Sequence, residues 1–137
     1  MALISTKGTY GLSAMYELSL VKSNKPTQIK DISKKANIPQ NYLEQLLVVL
    51  RRAELVVSVR GAQGGYFLAR NANDILIKDI LIALEGDISI TRQTIDNPVL
   101  NLFYKERNEK LQGIFDISLG QLQEYQDKLS NQLNYSI

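Results

Sequence analysis

Apolar residues recur at helical spacing along most of this chain. Leu12, Met15, Tyr16 and Leu20 stand at i, i+3, i+4 and i+8, which predicts a first helix with one buried face. Ser5 or Thr6 is placed to cap it, and Ser23-Asn24-Lys25-Pro26 ends it. A second helix is expected after Thr27 as its cap, with Ile29, Ile32 and Ala36 inward. Asn37-Ile38-Pro39 reads as a turn, and proline suits the first turn of a following helix because its missing N–H would have no partner there. That third helix is expected from about Pro39 to Ala53. Leu43, Leu46, Leu47 and Leu50 face inward at i, i+3, i+4 and i+7, which turns Gln40, Asn41, Glu44, Gln45, Arg51 and Arg52 outward.

The period then changes. Leu55–Val59 and Tyr66–Ala69 are β-prone and enclose Arg60-Gly61-Ala62-Gln63-Gly64-Gly65, where three glycines permit positive φ and close backbone approach. After a turn at Asn71–Asp74, Ile77, Ile80, Leu81 and Leu84 mark a fourth helix that ends near Glu85-Gly86. Residues 86–96 are polar with scattered Ile and read as a loop. Pro98 opens a long helix whose Leu100, Phe103, Tyr104, Leu111, Ile114 and Phe115 form an apolar stripe too wide to leave wet. Its cover is a second copy of the chain or, within one chain, the first helix. Ser118-Leu119-Gly120-Gln121 has the form of a capping box, and Leu122, Tyr125, Leu129 and Leu133 continue an amphipathic last helix.

Two helices joined by a tight turn, running straight into a glycine-rich basic hairpin, make a winged helix-turn-helix. The expected fold is mainly α with a small β-hairpin wing (α+β) and a long C-terminal dimerisation helix. The expected division is a DNA-binding domain over residues 1–86, a connecting loop over 87–97, and a dimerisation helix with C-terminal helix and tail over 98–137. The exposed start of the third helix is rich in amide and carboxylate groups that can read base edges, although an ordinary solvated face has the same composition. The loop with Arg60, Gly61, Gln63 and Gly64 suits a wing that reaches a minor groove or a phosphate. It also suits a plain hairpin turn, but it departs from the GxxxxGK[ST] nucleotide cradle.

Charge adds a direction. Residues 1–70 carry ten Lys/Arg against four Asp/Glu, a net +6, whereas residues 71–137 carry six against ten, a net −4. A basic half is what a phosphate-binding module requires. The chain has no Cys and no His, which removes disulfides, thiolate or imidazole metal ligands and the commonest general base. No metal, cofactor or catalytic constellation is expected. There is no apolar run long enough to span a membrane and no signal-peptide core, so the expected location is the cytoplasm.

The chain resembles the Rrf2 family of bacterial winged-helix regulators. The matching pieces are STKGTYGL at Ser5–Leu12, YLEQLL at Tyr42–Leu47, LRRAELVVSVRGAQGGYFLA at Leu50–Ala69 and DILIALEG at Asp79–Gly86, with a weaker match in ISLGQL at Ile117–Leu122. The resemblance implies a homodimeric regulator, a repressor at some promoters, on a partly palindromic operator. Asn41, Tyr42, Glu44 and Gln45 would face the major groove, Arg60 would enter the minor groove, Thr6, Lys7 and Tyr10 would touch the DNA backbone, and Arg51 would hold a phosphate. Several members bind an iron–sulfur cluster through three cysteines between the fourth helix and the dimerisation helix. This chain has none there, so the implied branch is cluster-free and similar to the regulators of cysteine metabolism. The ending Tyr135-Ser136-Ile137 is similar to the tails that serine acetyltransferases insert into cysteine synthase. An alternative is therefore a regulator that acts through a complex with that enzyme; a frayed end that happens to finish in Ile is the plainer reading.

Overall fold

A computed structural model describes residues 2–135. The chain forms α1 (Thr6–Ser19), α2 (Ile29–Ala36), α3 (Gln40–Arg52), β1 (Val56–Val59), β2 (Gly65–Leu68), a short 3-10 helix (Ala72–Asp74), α4 (Ile77–Glu85), α5 (Pro98–Gly113), a second 3-10 helix (Leu119–Leu122) and α6 (Gln123–Tyr135). This is the expected winged helix with an added C-terminal helical part.

The main core lies where α1, α3 and α4 meet. Leu43, Leu46, Leu47 and Leu50 of α3 are all buried in it, together with Met15, Ile32, Ile38, Ile80 and Leu84. Each fully buried aliphatic side chain contributes about 1.5–3 kcal/mol, so the inward face of α3 fixes its outward face by a wide margin. Asn37 ends α2 in the left-handed conformation (φ 55°), and its N–H donates to the Ser33 carbonyl.

The face of α1 differs from the one the large apolar residues suggested. Its buried positions are Gly8, Gly11, Ala14, Met15 and Leu18, whereas Leu12 and Tyr16 are half-buried and Leu20 is exposed. The reason is the close approach of α4. A Cβ at Gly11 would collide with the Leu84 side chain, so small residues face α4 and Leu12 and Tyr16 sit half-buried at the flank. Ser5 is the residue before α1, but its hydroxyl makes no cap; it donates to Glu85 Oε1 instead.

Thr27 is a second departure. It does not cap α2, which starts after Gln28 without a side-chain cap. Thr27 pairs with Tyr66 as a one-residue third strand, donating its N–H to the Tyr66 carbonyl (3.0 Å) and accepting from the Tyr66 N–H (2.9 Å). The hairpin β1–β2 is antiparallel, with Val56 opposite Leu68 and Val59 opposite Gly65.

Asn97 caps α5 by accepting from the N–H groups of Val99 (2.9 Å) and Leu100 (3.3 Å), and Pro98 follows in the first turn. The preceding loop is irregular but not wholly wet. Ile88 is buried against Ile77 and Leu81, and the Ile90 N–H donates to Asn108 Oδ1 of α5 (2.6 Å). Beyond α5 the chain returns to the start of α4. The N–H of Ile77 donates to the Ile117 carbonyl (2.8 Å), and that of Leu119 to the Ile75 carbonyl (2.7 Å). Ser118 and Gln121 form the expected capping box, and Leu119 is buried.

Candidate nucleic-acid interface

With its leucines buried, α3 presents Gln40, Asn41, Glu44, Gln45, Arg51 and Arg52 to solvent. The first four share the N-terminal turns. Arg51 lies eleven positions after Gln40, about 16 Å along the axis, so it belongs to a different part of any duplex that α3 enters. Arg51 and Arg52 occupy the last turn, where positive charge also complements the helix dipole. Tyr42 is half-buried. Its ring meets that of Tyr10 edge-to-face at 5.7 Å between centroids and 82° between planes, which ties the start of α1 to the start of α3. Thr6 and Lys7, one turn earlier on α1, are exposed.

Glu85 fixes the start of α1. Its Oε1 accepts from the Ser5 N–H (2.9 Å) and the Ser5 hydroxyl (2.7 Å). Burial alone would push the carboxyl pKa up. The Ser5 hydroxyl, the Ser5 and Gly8 N–H groups and the Lys7 ammonium together outweigh that and hold it below its ordinary value.

The wing stands beside these helices. Arg60, Gly61 and Gln63 are exposed at its tip and Gly64 is half-buried. Gly61 adopts φ 114°, a conformation that favours glycine. Gly65 marks a close approach: a Cβ there would strike the Thr27 backbone. The wing is thus anchored at its root on the connection between α1 and α2. A cleft of about 530 Å³ separates it from α2 and α3, lined by Gln28, Lys30, Gln40, Arg60, Gly61 and Gly64 among others. The fold therefore brings Gln40 and the wing residues together. Gln63 faces the other way, towards Lys25, Gln28 and Asp31. The sequence does not single out Gln28, just before α2, or Lys30, in its first turn, since nothing local distinguishes them.

The expected apolar stripe runs past the end of α5 at Gly113, to Ile114 and Phe115, and divides in two. Leu111 and Phe115 pack beside Ile77, Leu81 and Ile88 of their own chain. Leu100 (43%), Phe103 (46%) and Ile114 (62%) remain exposed, as do Val99 (76%) and Leu102 (59%), which the spacing did not single out. Tyr104 is half-buried, with its ring 5.4 Å from that of Phe103. No residue of α5 is fully buried. The Tyr135 side chain, Ser136 and Ile137, the residues of the expected partner tail, lie outside the described residues.

Residues 4–133 match the family model Rrf2, described as an iron-dependent transcriptional regulator. The chain belongs to the Rrf2 family. It is 49% identical over 86 residues to the HTH-type transcriptional regulator CymR of Bacillus subtilis, a stretch covering 63% of this chain and 62% of that protein. It is 32% identical over 134 residues to the regulator IscR of Cronobacter sakazakii, covering 92% of this chain and 83% of that one. Among solved structures, that of CymR, the global cysteine regulator of B. subtilis, superposes with a TM-score of 0.79 at 38% identity, covering 91% of this chain and 98% of that one. The IscR structure from T. potens gives 0.75 at 36% identity, covering 92% and 89%. The family and the fold are those of DNA-binding transcriptional regulators, not of enzymes.

The iron in the Rrf2 description finds no fitting ligand set in this chain. There is no Cys or His, and no three acidic side chains gather into a metal-binding group among the described residues. Iron–sulfur clusters need thiolates, or imidazole in their place, and carboxylates alone do not substitute for them. Among the described residues, no helix is long and apolar enough to cross a membrane.

Proposed function

We propose that this Rrf2 regulator is a cluster-free homodimeric repressor that binds a partly palindromic operator, with genes of cysteine or sulfur metabolism as its targets. In this reading residues 1–86 are the DNA-binding unit, 87–97 connect, and 98–137 carry the second copy. Glu44, Gln45 and Asn41 read base edges in the major groove while the wing follows the flanking backbone. Thr6 and Lys7 meet phosphates from the start of α1. The observation that carries the reading is the polar N-terminal half of α3, exposed and flanked by the wing on the basic half of the chain. The exposed Val99, Leu100, Leu102, Phe103 and Ile114 favour a second copy as the cover of α5. The metabolic assignment rests on similarity to the B. subtilis cysteine regulator.

Base-specific variants test it. Glu44 can accept a hydrogen bond from cytosine N4, a contact that discriminates by about 1–3 kcal/mol. Glu44→Ala is expected to relax the preference at one base pair in each half-site, and Arg60→Ala to weaken binding more broadly. Wild-type affinity and preference in both variants would mean that α3 and the wing do not dock in this way.

A further inference from the structure

We infer that the cleft between the wing and α2 seats one backbone phosphate of the bound duplex, and that Lys30 is its principal ligand together with Arg60. The inference rests on the DNA-binding reading above and adds a residue and a site to it.

Three observations converge. The cleft measures about 530 Å³, ample for a phosphate with its ester oxygens and a few waters. Its lining brings one cation from each side, Lys30 from the first turn of α2 and Arg60 from the wing, with the amides of Gln28 and Gln40 as neutral donors. Neither cation is neutralised: the ion pair among the described residues is Lys78–Asp116 at 3.6 Å, on another part of the molecule. Asp31 lines the neighbouring depression with Lys25 and Gln63 instead.

The walls are also held in place before any ligand arrives. The Thr27–Tyr66 pairing and the contact of Gly65 with the Thr27 backbone lock the wing root to the residues that lead into α2. Two cations on separately anchored elements, lining one open cleft next to Gln40, form a seat for a compact anion. The chemistry of that seat is a phosphodiester: the positive charges of Lys30 and Arg60 match a backbone phosphate, which every base pair carries alike. Lys30 therefore supplies affinity and register rather than sequence preference.

The test compares the wild-type protein, Lys30→Ala and Lys34→Ala on its selected operator and on an unrelated duplex, across a series of salt concentrations. Both lysines are exposed on α2, so neither change threatens the fold, but Lys34 lies outside the cleft. Loss of one phosphate contact lowers the slope of log K against log salt by about 0.9. Lys30→Ala is expected to show that drop and to weaken binding by a similar factor, about an order of magnitude at low salt, on both duplexes. Lys34→Ala is expected to keep the wild-type slope. An unchanged slope for Lys30→Ala, an equal drop for Lys34→Ala, or a loss confined to the operator would each overturn the inference while leaving the regulator reading intact. A wild-type protein that binds neither duplex would overturn both.

Discussion

Glu85 offers a quantitative test of how the start of α1 is held. Its Oε1 takes two hydrogen bonds from Ser5, at 2.9 Å and 2.7 Å. A bond to a charged acceptor is worth about 1.5–3 kcal/mol when shielded. These bonds lie at the surface, where solvent screening and side-chain freedom reduce such interactions to about 1 kcal/mol or less. Glu85→Ala should therefore cost about 1–2 kcal/mol and Glu85→Gln about 0.5–1 kcal/mol, since the amide keeps one acceptor oxygen but loses the charge. The sign of the pH dependence follows from the lowered carboxyl pKa. Stabilisation by the charged form is complete above the ordinary value of 4.5 and is lost as pH falls through the lower folded-state value. Urea unfolding of wild type and Glu85→Gln, followed by far-UV circular dichroism, should show a gap at pH 7 that closes on acidification. No gap at pH 7, or one that persists unchanged in acid, would refute the reasoning.

Other expectations come from single contacts. Gly65→Ala would press a methyl group against the Thr27 backbone, and thermal unfolding should report a loss of about 2 kcal/mol or more, because backbone cannot yield as a side-chain tip can. Asn97→Ala removes the cap of α5 and should cost about 1 kcal/mol in the same assay. Leu102→Arg places charge on the exposed face of α5; if the proposed dimer forms through that face, sedimentation velocity should show a dimer for wild type and a monomer for the variant, with circular dichroism unchanged.

The helix-turn-helix was legible because its signal is local. In α3 the inward leucines and outward polar groups alternate at one clean period, and all four leucines are buried. The first helix was legible as a helix but not in its orientation. Its buried face is set by Gly8, Gly11 and Ala14, which carry little hydrophobic signal and matter only because α4 packs so close. Thr27 looked like a cap because its strand partner, Tyr66, is thirty-nine positions away. Lys30 was equally invisible: among the lysines of α2 it is distinguished only by the wing that folds back beside it. On α5 the spacing identified an apolar stripe but could not divide it. Leu111 and Phe115 pack against Ile77 and Leu81 of α4 and Ile88 of the loop that follows it, a contact no periodicity announces.

Selection of duplexes from a random-sequence pool by the purified protein, at near-physiological salt, tests the central claim most directly. The account predicts enrichment of two inverted half-sites with centres about one helical turn apart, bound by a protein that sediments as a dimer. Recovery of no motif, or of a single site without two-fold symmetry, would contradict it.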